Sequence, residues 1–314
     1  MEGNDMTQRE RFLCALDRKI PDRVPTFELE FQLEEELLGK RFLREKMLEG
    51  LTDGQIEEKL RENARYIIEV YDKLEHDAIC VHYLSREHLA RTVELLREYS
   101  GDKYAIFCHG DGTFAIPDGN GLEELAVKMY EEPEELCEEA ERMMKKAMKN
   151  NENMFAAGVD GFILCSDYCF NKGPFMSPEM FSRFVTPYLT KIIAHIRNMG
   201  AYAIKHTDGN IMPIIDQLVS ANPHALHSLD PMAGVDIRVV KEKYGDQVAL
   251  CGNVHCAFLQ TGTDQQVIDS CEYCLTYAKP GGGYVYATSN IPFKGMKLER
   301  YMMVLDVWRR MRDY

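Results

Sequence analysis

Eight short apolar runs, each ending in polar residues, alternate with longer helical patterns along this 314-residue chain. The runs are RVPTFELEF (23–31), HDAICVHY (76–83), YAIFCHGDGTFAI (104–116), GVDGFILCSDY (158–168), GAYAIKHTDG (200–209), ALHSLDP (225–231), QVALCGNVH (247–255) and GGYVYATSN (282–290). Strands buried on both faces read as short apolar runs, and parallel neighbours require helical crossovers between them. The pattern therefore predicts an α/β fold, a (β/α)8 barrel with a short N-terminal helical extension. A doubly wound sheet is the alternative, but no G-x-G-x-x-G follows an early strand. With no Ser- or Pro-rich linker and no low-complexity tract, residues 1–314 read as a single domain. The helical segments include TDGQIEEKLRENARYIIEVYDKL (52–74) and SPEMFSRFVTPYLTKIIAHIRNMG (177–200). In the second, Ser177 is the N-cap, Pro178 takes the first helical position and Gly200 ends the helix.

Charge and composition exclude several classes of partner. A net charge of −14 argues against nucleic acid and against an anionic membrane surface. No apolar run is long enough to span a bilayer, and the charged start MEGNDMTQRERF does not look like a signal peptide, so a cytoplasmic location is expected. In that setting the ten cysteines are expected as thiols. The Cys271-x-x-Cys274 pair lies in DQQVIDSCEYCLTYA, which reads as the buried face of an amphipathic helix. The acidic stretch EEPEELCEEAERMMKKAMKNNENM reads as a solvated helix face that could also receive a basic or corrin-carrying partner. Outer helices of a barrel are equally compatible with a monomer and a homodimer.

The strand ends hold the candidate chemistry. In AYAIKHTDGN, His206 and Asp208 are two apart and so project to one face, where they can share a proton, orient a substrate or hold a metal. Glu28, Glu30, His82, His109, Asp111, Asp167, His227, Asp230, Asn253, His255, Ser289 and Asn290 recur at the ends of the other runs. Polar groups gathered at the carboxyl ends of parallel strands are what a barrel enzyme requires. His82 and His227 read as core or rim histidines. The catalytic assignment falls on His206, Asp208, Asp167 and His255. Substrate contacts fall on Glu28, Glu30, His109, Tyr168, Asn253, Ser289 and Asn290. A metal would be held by His206 and Asp208, helped by His255 or Cys251.

Several segments resemble the uroporphyrinogen decarboxylase superfamily. They are TQRERFLCALDRKIPDRVP (7–25), SDYCFNKGPFMSPEMFSRFVTPY (166–188), KHTDGN, GNVH and PGGGYVYATSN, in order along nearly the whole chain. The resemblance implies a (β/α)8 barrel with its active site in the carboxyl mouth. True decarboxylases of the family carry an arginine-rich RQAGRY-like motif that grips acidic side chains. Here PTFELEFQLEEELLGK places Glu28 and Glu30 in that region, so a polycarboxylate substrate would be repelled.

The resemblance is nearer to the cobalamin-dependent methyltransferases, including O-demethylases. Those serving coenzyme M bind zinc through an H-x-C pair and a later cysteine. His206 matches the histidine, while Asp208 and Ser289 stand where the two cysteines would be. The soft thiolate ligands are thus missing, and nitrogen and oxygen donors take their place. No corrinoid-binding D-x-H-x-x-G motif occurs, so methylcobalamin would come on a separate corrinoid protein. The expected activity is methyl transfer between a small methylated substrate (a methoxy compound or a methylamine) and that cobalamin. The alternatives are a decarboxylase or lyase of a small acid, and a non-catalytic ligand-binding paralogue.

Overall fold

The computed structural model describes residues 6–119 and 121–314. Seven parallel strands form one curled sheet whose spatial order is their chain order. They are β1 (Ala78–Val81), β2 (Ala105–His109), β3 (Gly161–Cys165), β4 (Tyr202–Thr207), β5 (Ala225–Ser228), β6 (Ala249–Gly252) and β7 (Tyr284–Val285). Helices follow the strands and cover the outer face, as the alternation predicts.

The first of the eight runs, 23–31, does not become a sheet strand. It makes one parallel bridge, Thr26 to Tyr286, and on its other side the Asp77 amide donates to Thr26 O at 2.8 Å. Two features shorten the pairing. Pro25 has no amide hydrogen to offer a ladder, and the Thr26 amide is taken by the Asp77 carboxylate at 2.8 Å. The segment spans the gap between β7 and β1 with a single residue's pairing where a full strand was expected.

Strand alternation divides the apolar residues into two layers. Phe27, Leu29, Ala78, Cys80, Ala105, Phe107, Ile163, Ile204, Ala225, Ala249, Cys251, Val285 and Ala287 fill the interior of the curled sheet. The larger layer packs between the outer sheet face and the helices. Helix Gln8–Leu16 has the Thr7 capping box and sends Phe12, Ala15 and Leu16 into the interior cluster. Phe12 meets Phe27 and Phe107 edge-on at 5.2 and 5.4 Å, so this extension plugs one end of the sheet. Arg11 on the same helix is buried and bonds Asp77 at 2.6 Å and Asp22 at 2.5 and 2.7 Å.

The Ser177 cap forms as the sequence predicts, its Oγ accepting from Met180 N at 3.1 Å. The helix it starts breaks at Val185, dividing it into Pro178–Phe184 and Thr186–Asn198. Pro187 explains the break, since its ring clashes with the carbonyl of the previous turn and it lacks the amide to continue the ladder. Cys271 and Cys274 are buried on helix Asp264–Tyr277, and all ten cysteines are free. Among the described residues, no helix is long and apolar enough to cross a membrane.

Candidate active site

At the end of β4 the chain leaves the sheet, and His206 points inward while Lys205 points outward. His206 is buried, and its Nδ1 lies 2.7 Å from Nδ1 of His227 on β5, the residue paired with it in register. One of the two rings must donate across that contact. Its Nε2 side faces two carboxylates, Asp167 Oδ1 and Asp208 Oδ1, each at 3.8 Å. A ligating atom from each of Asp167, His206 and Asp208 lies within 4.8 Å of the others.

The carboxylates are themselves positioned. Asp208 Oδ1 accepts from Ser228 Oγ at 2.6 Å, and its Oδ2 accepts from the Asn290 amide. The Asp208 amide donates to Asp167 Oδ1 at 3.1 Å. Gly209 turns the chain at φ +80°, in the left-handed region, with its Cα packed against the backbone of Cys169 and Phe170. A Cβ there would come within 2.3 Å of Cys169 O, so glycine lets the loop after β3 close over the end of β4.

Burial sets the protonation states. It pushes the His206 imidazolium down to about 4, outweighing the attraction of Asp167, so the ring is neutral at pH 7. Burial lowers His227 much further, with His206 adding to it. Burial raises Asp208 to about 7, and the charges of Asp167 and Asp230 add to this while the Ser228 bond opposes it. Near neutral pH the cluster therefore combines a neutral imidazole, a half-exposed carboxylate and a carboxyl poised to gain or lose a proton. Such a set can donate a proton, or with His206 Nε2 as a lone pair it can ligate a cation through nitrogen and oxygen.

The structure gathers His206, Asp208, Asp167 and Asn290 from the sequence-derived set and leaves the others elsewhere. Glu28 is buried in the layer outside the sheet, where it accepts from Thr288 Oγ at 2.5 Å, and burial pushes it up to about 8. Tyr168 is buried with its hydroxyl 2.5 Å from Thr113 Oγ1 and its ring edge-on to Phe181. Asn253 donates to Leu229 O at 2.5 Å and accepts from Cys274, a helix residue. Ser289 Oγ accepts from Cys256 N at 3.3 Å. His255 stacks on Phe258 at 3.9 Å and lines a cleft of about 320 Å³ against helix Asp264–Tyr277. Neither His255 nor Cys251 belongs to the Asp167–His206–Asp208 group. His109 and Glu30 lie toward β1, His109 with its ring 4.7 Å from that of His82 and Glu30 bonded to Gln32.

The main residue undervalued from sequence is His227, read there as a core or rim histidine. The usable signal was that KHT and LHS each place histidine one residue before the strand end, so in register the two rings meet. Ser228, which orients Asp208, follows from the same register.

The uroporphyrinogen decarboxylase family profile matches residues 85–311. No curated protein matches the sequence. In fold the chain is similar to a methyltransferase from Methanosarcina mazei, with a TM-score of 0.76 at 15% identity over 97% of this chain and 99% of that one. A GH5_18 protein from Bifidobacterium longum subsp. infantis is similar at TM-score 0.49 and 10% identity over 93% and 80%. N-acetylneuraminate lyase from Fusobacterium nucleatum is similar at TM-score 0.41 and 13% identity over 81% and 74%. The profile covers well over half of the chain, through the cluster-bearing strands β3, β4 and β5, and the chain belongs to the uroporphyrinogen decarboxylase family.

Proposed function

We propose that the protein is a methyltransferase that moves a methyl group between a small methylated substrate and the cobalamin of a separate corrinoid protein. The carrying observation is the Asp167–His206–Asp208 cluster at the carboxyl ends of β3 and β4. Its support is the full-length likeness in fold to the Methanosarcina mazei methyltransferase.

Removing methyl from an ether or amine needs a leaving group that is protonated or coordinated as its bond to carbon breaks. Asp208, held near a pKa of 7 between the Ser228 and Asn290 donors, can supply the proton, and the neutral His206 ring beside it presents Nε2 as a lone pair. The donor set also fits a metal ion with nitrogen and oxygen ligands: His206 Nε2, Asp167 and Asp208 would hold it, with His227 accepting from His206 Nδ1. When bound, such an ion supplies Lewis acidity. It is a poorer match for a thiolate-rich zinc centre, since no cysteine is in the group.

The lyase alternative loses its nearest cation. Lys205 faces away from the cluster and bonds Asp111 at 2.8 Å. The test is methyl transfer from methoxy compounds or methylamines to free cob(I)alamin or a reduced corrinoid protein, with metal content measured in parallel. Wild type should transfer methyl, Asp208→Ala should lower the rate about 10²–10⁴-fold, the usual worth of one proton-transfer group, and His206→Ala should lower it as well. An unchanged rate in folded His206→Ala refutes the site, and absence of methyl transfer to any reduced corrinoid from these substrates refutes the activity.

A further inference from the structure

A second cluster lies where β1 and β2 end, on the strands that precede β3 and β4 in the sheet. Cys80 lies on the inward face of β1, and His82 follows two positions on, one residue past the strand's end. His109 closes β2 next to them, one residue beyond the last register pair, Val81 with Cys108. One ligating atom from each of the three lies within 4.8 Å of the others. None of the three bonds another, so the proximity is not explained by an internal hydrogen bond.

Two further observations point to a ligand. His82 Nε2 donates to Leu29 O at 2.7 Å, which fixes its tautomer and leaves Nδ1 as the lone-pair nitrogen. Metal-bound histidines are held in this way, one nitrogen on a backbone carbonyl and the other on the ion. His109 Nε2 is buried without any partner, an arrangement folded proteins rarely leave unexplained. A cavity of about 20 Å³ that touches Cys80 and His82 but not His109, and is otherwise lined mainly by outer-layer residues such as Phe31, Ile67 and Tyr71, has room for one water.

We propose that Cys80, His82 and His109 form a three-ligand site for a transition-metal ion of the zinc class, separate from the Asp167–His206–Asp208 cluster. One sulfur and two imidazole nitrogens are a borderline-soft set, and three protein ligands leave a fourth position for water. Binding replaces the Cys80 thiol proton with the metal, releasing one proton to solvent. The proposal stands independently of methyl transfer.

Cobalt(II) is the probe, because only a thiolate ligand gives a sulfur-to-cobalt charge-transfer band in the near ultraviolet. The chelator-stripped full chain, titrated with Co(II), should develop that band with one equivalent. Cys80→Ser should abolish it, and Asp208→Ala should leave it unchanged. Because Cys80→Ser could disturb the interior, His109→Phe serves as a second variant that keeps a ring while removing a ligand, and it should weaken Co(II) binding at least tenfold. Absence of the band in folded wild type overturns the proposal. So does a band that survives in Cys80→Ser, which would place the thiolate elsewhere, or unweakened binding in folded His109→Phe.

Discussion

Lys205 and His206 are neighbours in sequence on opposite faces of one strand, and their surroundings differ in kind. Behind the sheet, the Lys205 ammonium donates to Asp111 at 2.8 Å, Leu164 O at 2.9 Å and Ser166 O at 3.1 Å, and sits 4.0 Å over the Tyr168 ring. All three ammonium hydrogens have a partner. Burial acts to raise Asp111, but Lys205 and the Thr113 bonds outweigh it and hold the carboxylate below its ordinary range. Inside the mouth, His206 Nε2 has two carboxylates at 3.8 Å and a bond to neither. A buried polar group with every partner in place serves the fold, whereas one left under-satisfied beside an open carboxylate is available for chemistry.

The largest effect that tests this division is on stability. Lys205→Met should destabilise the protein by about 3–5 kcal/mol, because Asp111 would remain buried without its cation. Denaturant unfolding measures it, and methyl transfer per folded molecule should stay near wild type. A variant that is stable but inactive would put Lys205 in the chemistry and dissolve the contrast.

His227→Phe tests the other side. Phenylalanine keeps the edge-on packing against Phe27 but removes the Nδ1 that His206 contacts. Activity or metal affinity should fall about 10–100-fold, the usual cost of losing such a support. Stability should change by less than about 1.5 kcal/mol, the net worth of a typical hydrogen bond. A large stability loss without a loss of activity would class His227 with Lys205.

The same contrast explains what was legible in the sequence. Seven of the eight apolar runs became sheet strands, because short apolar runs between helices have few other ways to be buried. Run 23–31 failed where Pro25 and the Asp77 carboxylate take backbone donors out of the ladder. For the site, His206 and Asp208 were found because two-residue spacing fixes their common face. Glu28 could have been set aside by the same parity, since Phe27 and Leu29 on either side of it point inward. Parity alone did not extend to Tyr168, Asn253 and His255, which lie past the ends of β3 and β6. His227 needed the register between two strands, which no single run contains.

Titration gives both regions a pH dependence. His206 is lowered from 6.5 to about 4, so the stability it contributes is lost as pH falls from 6.5 toward 4. His82 and His76, lowered to about 4 and 3, act in the same direction. Asp208 and Glu28 are raised to about 7 and 8, so their contribution is present at low pH and is lost as pH rises through those values. Unfolding free energy should therefore peak near pH 6.5 and decline on both sides, as read by urea melts across pH 4 to 8.5. Glu28→Gln should flatten the alkaline side without altering activity. A monotonic rise to pH 8.5 would contradict the buried, raised carboxyl behind the sheet.

The smallest expected effect lies in a single bond within the mouth. Ser228 Oγ donates to Asp208 and holds its pKa down against burial and the nearby charges of Asp167 and Asp230. Ser228→Ala removes a donor that favours the ionised form, so the Asp208 pKa should move upward from about 7. A bond of this kind is worth about 1 kcal/mol, which corresponds to less than one pH unit. If Asp208 acts as the proton donor, its activity limb should shift to higher pH by that amount while the maximal rate changes less than about tenfold. If it acts as a metal ligand, the same shift should instead appear as weaker metal binding at neutral pH, because protons compete longer for the carboxylate. A pH–rate profile beside a metal titration of one variant thus separates the two roles, and a profile and affinity that both stay fixed would remove Asp208 from the chemistry.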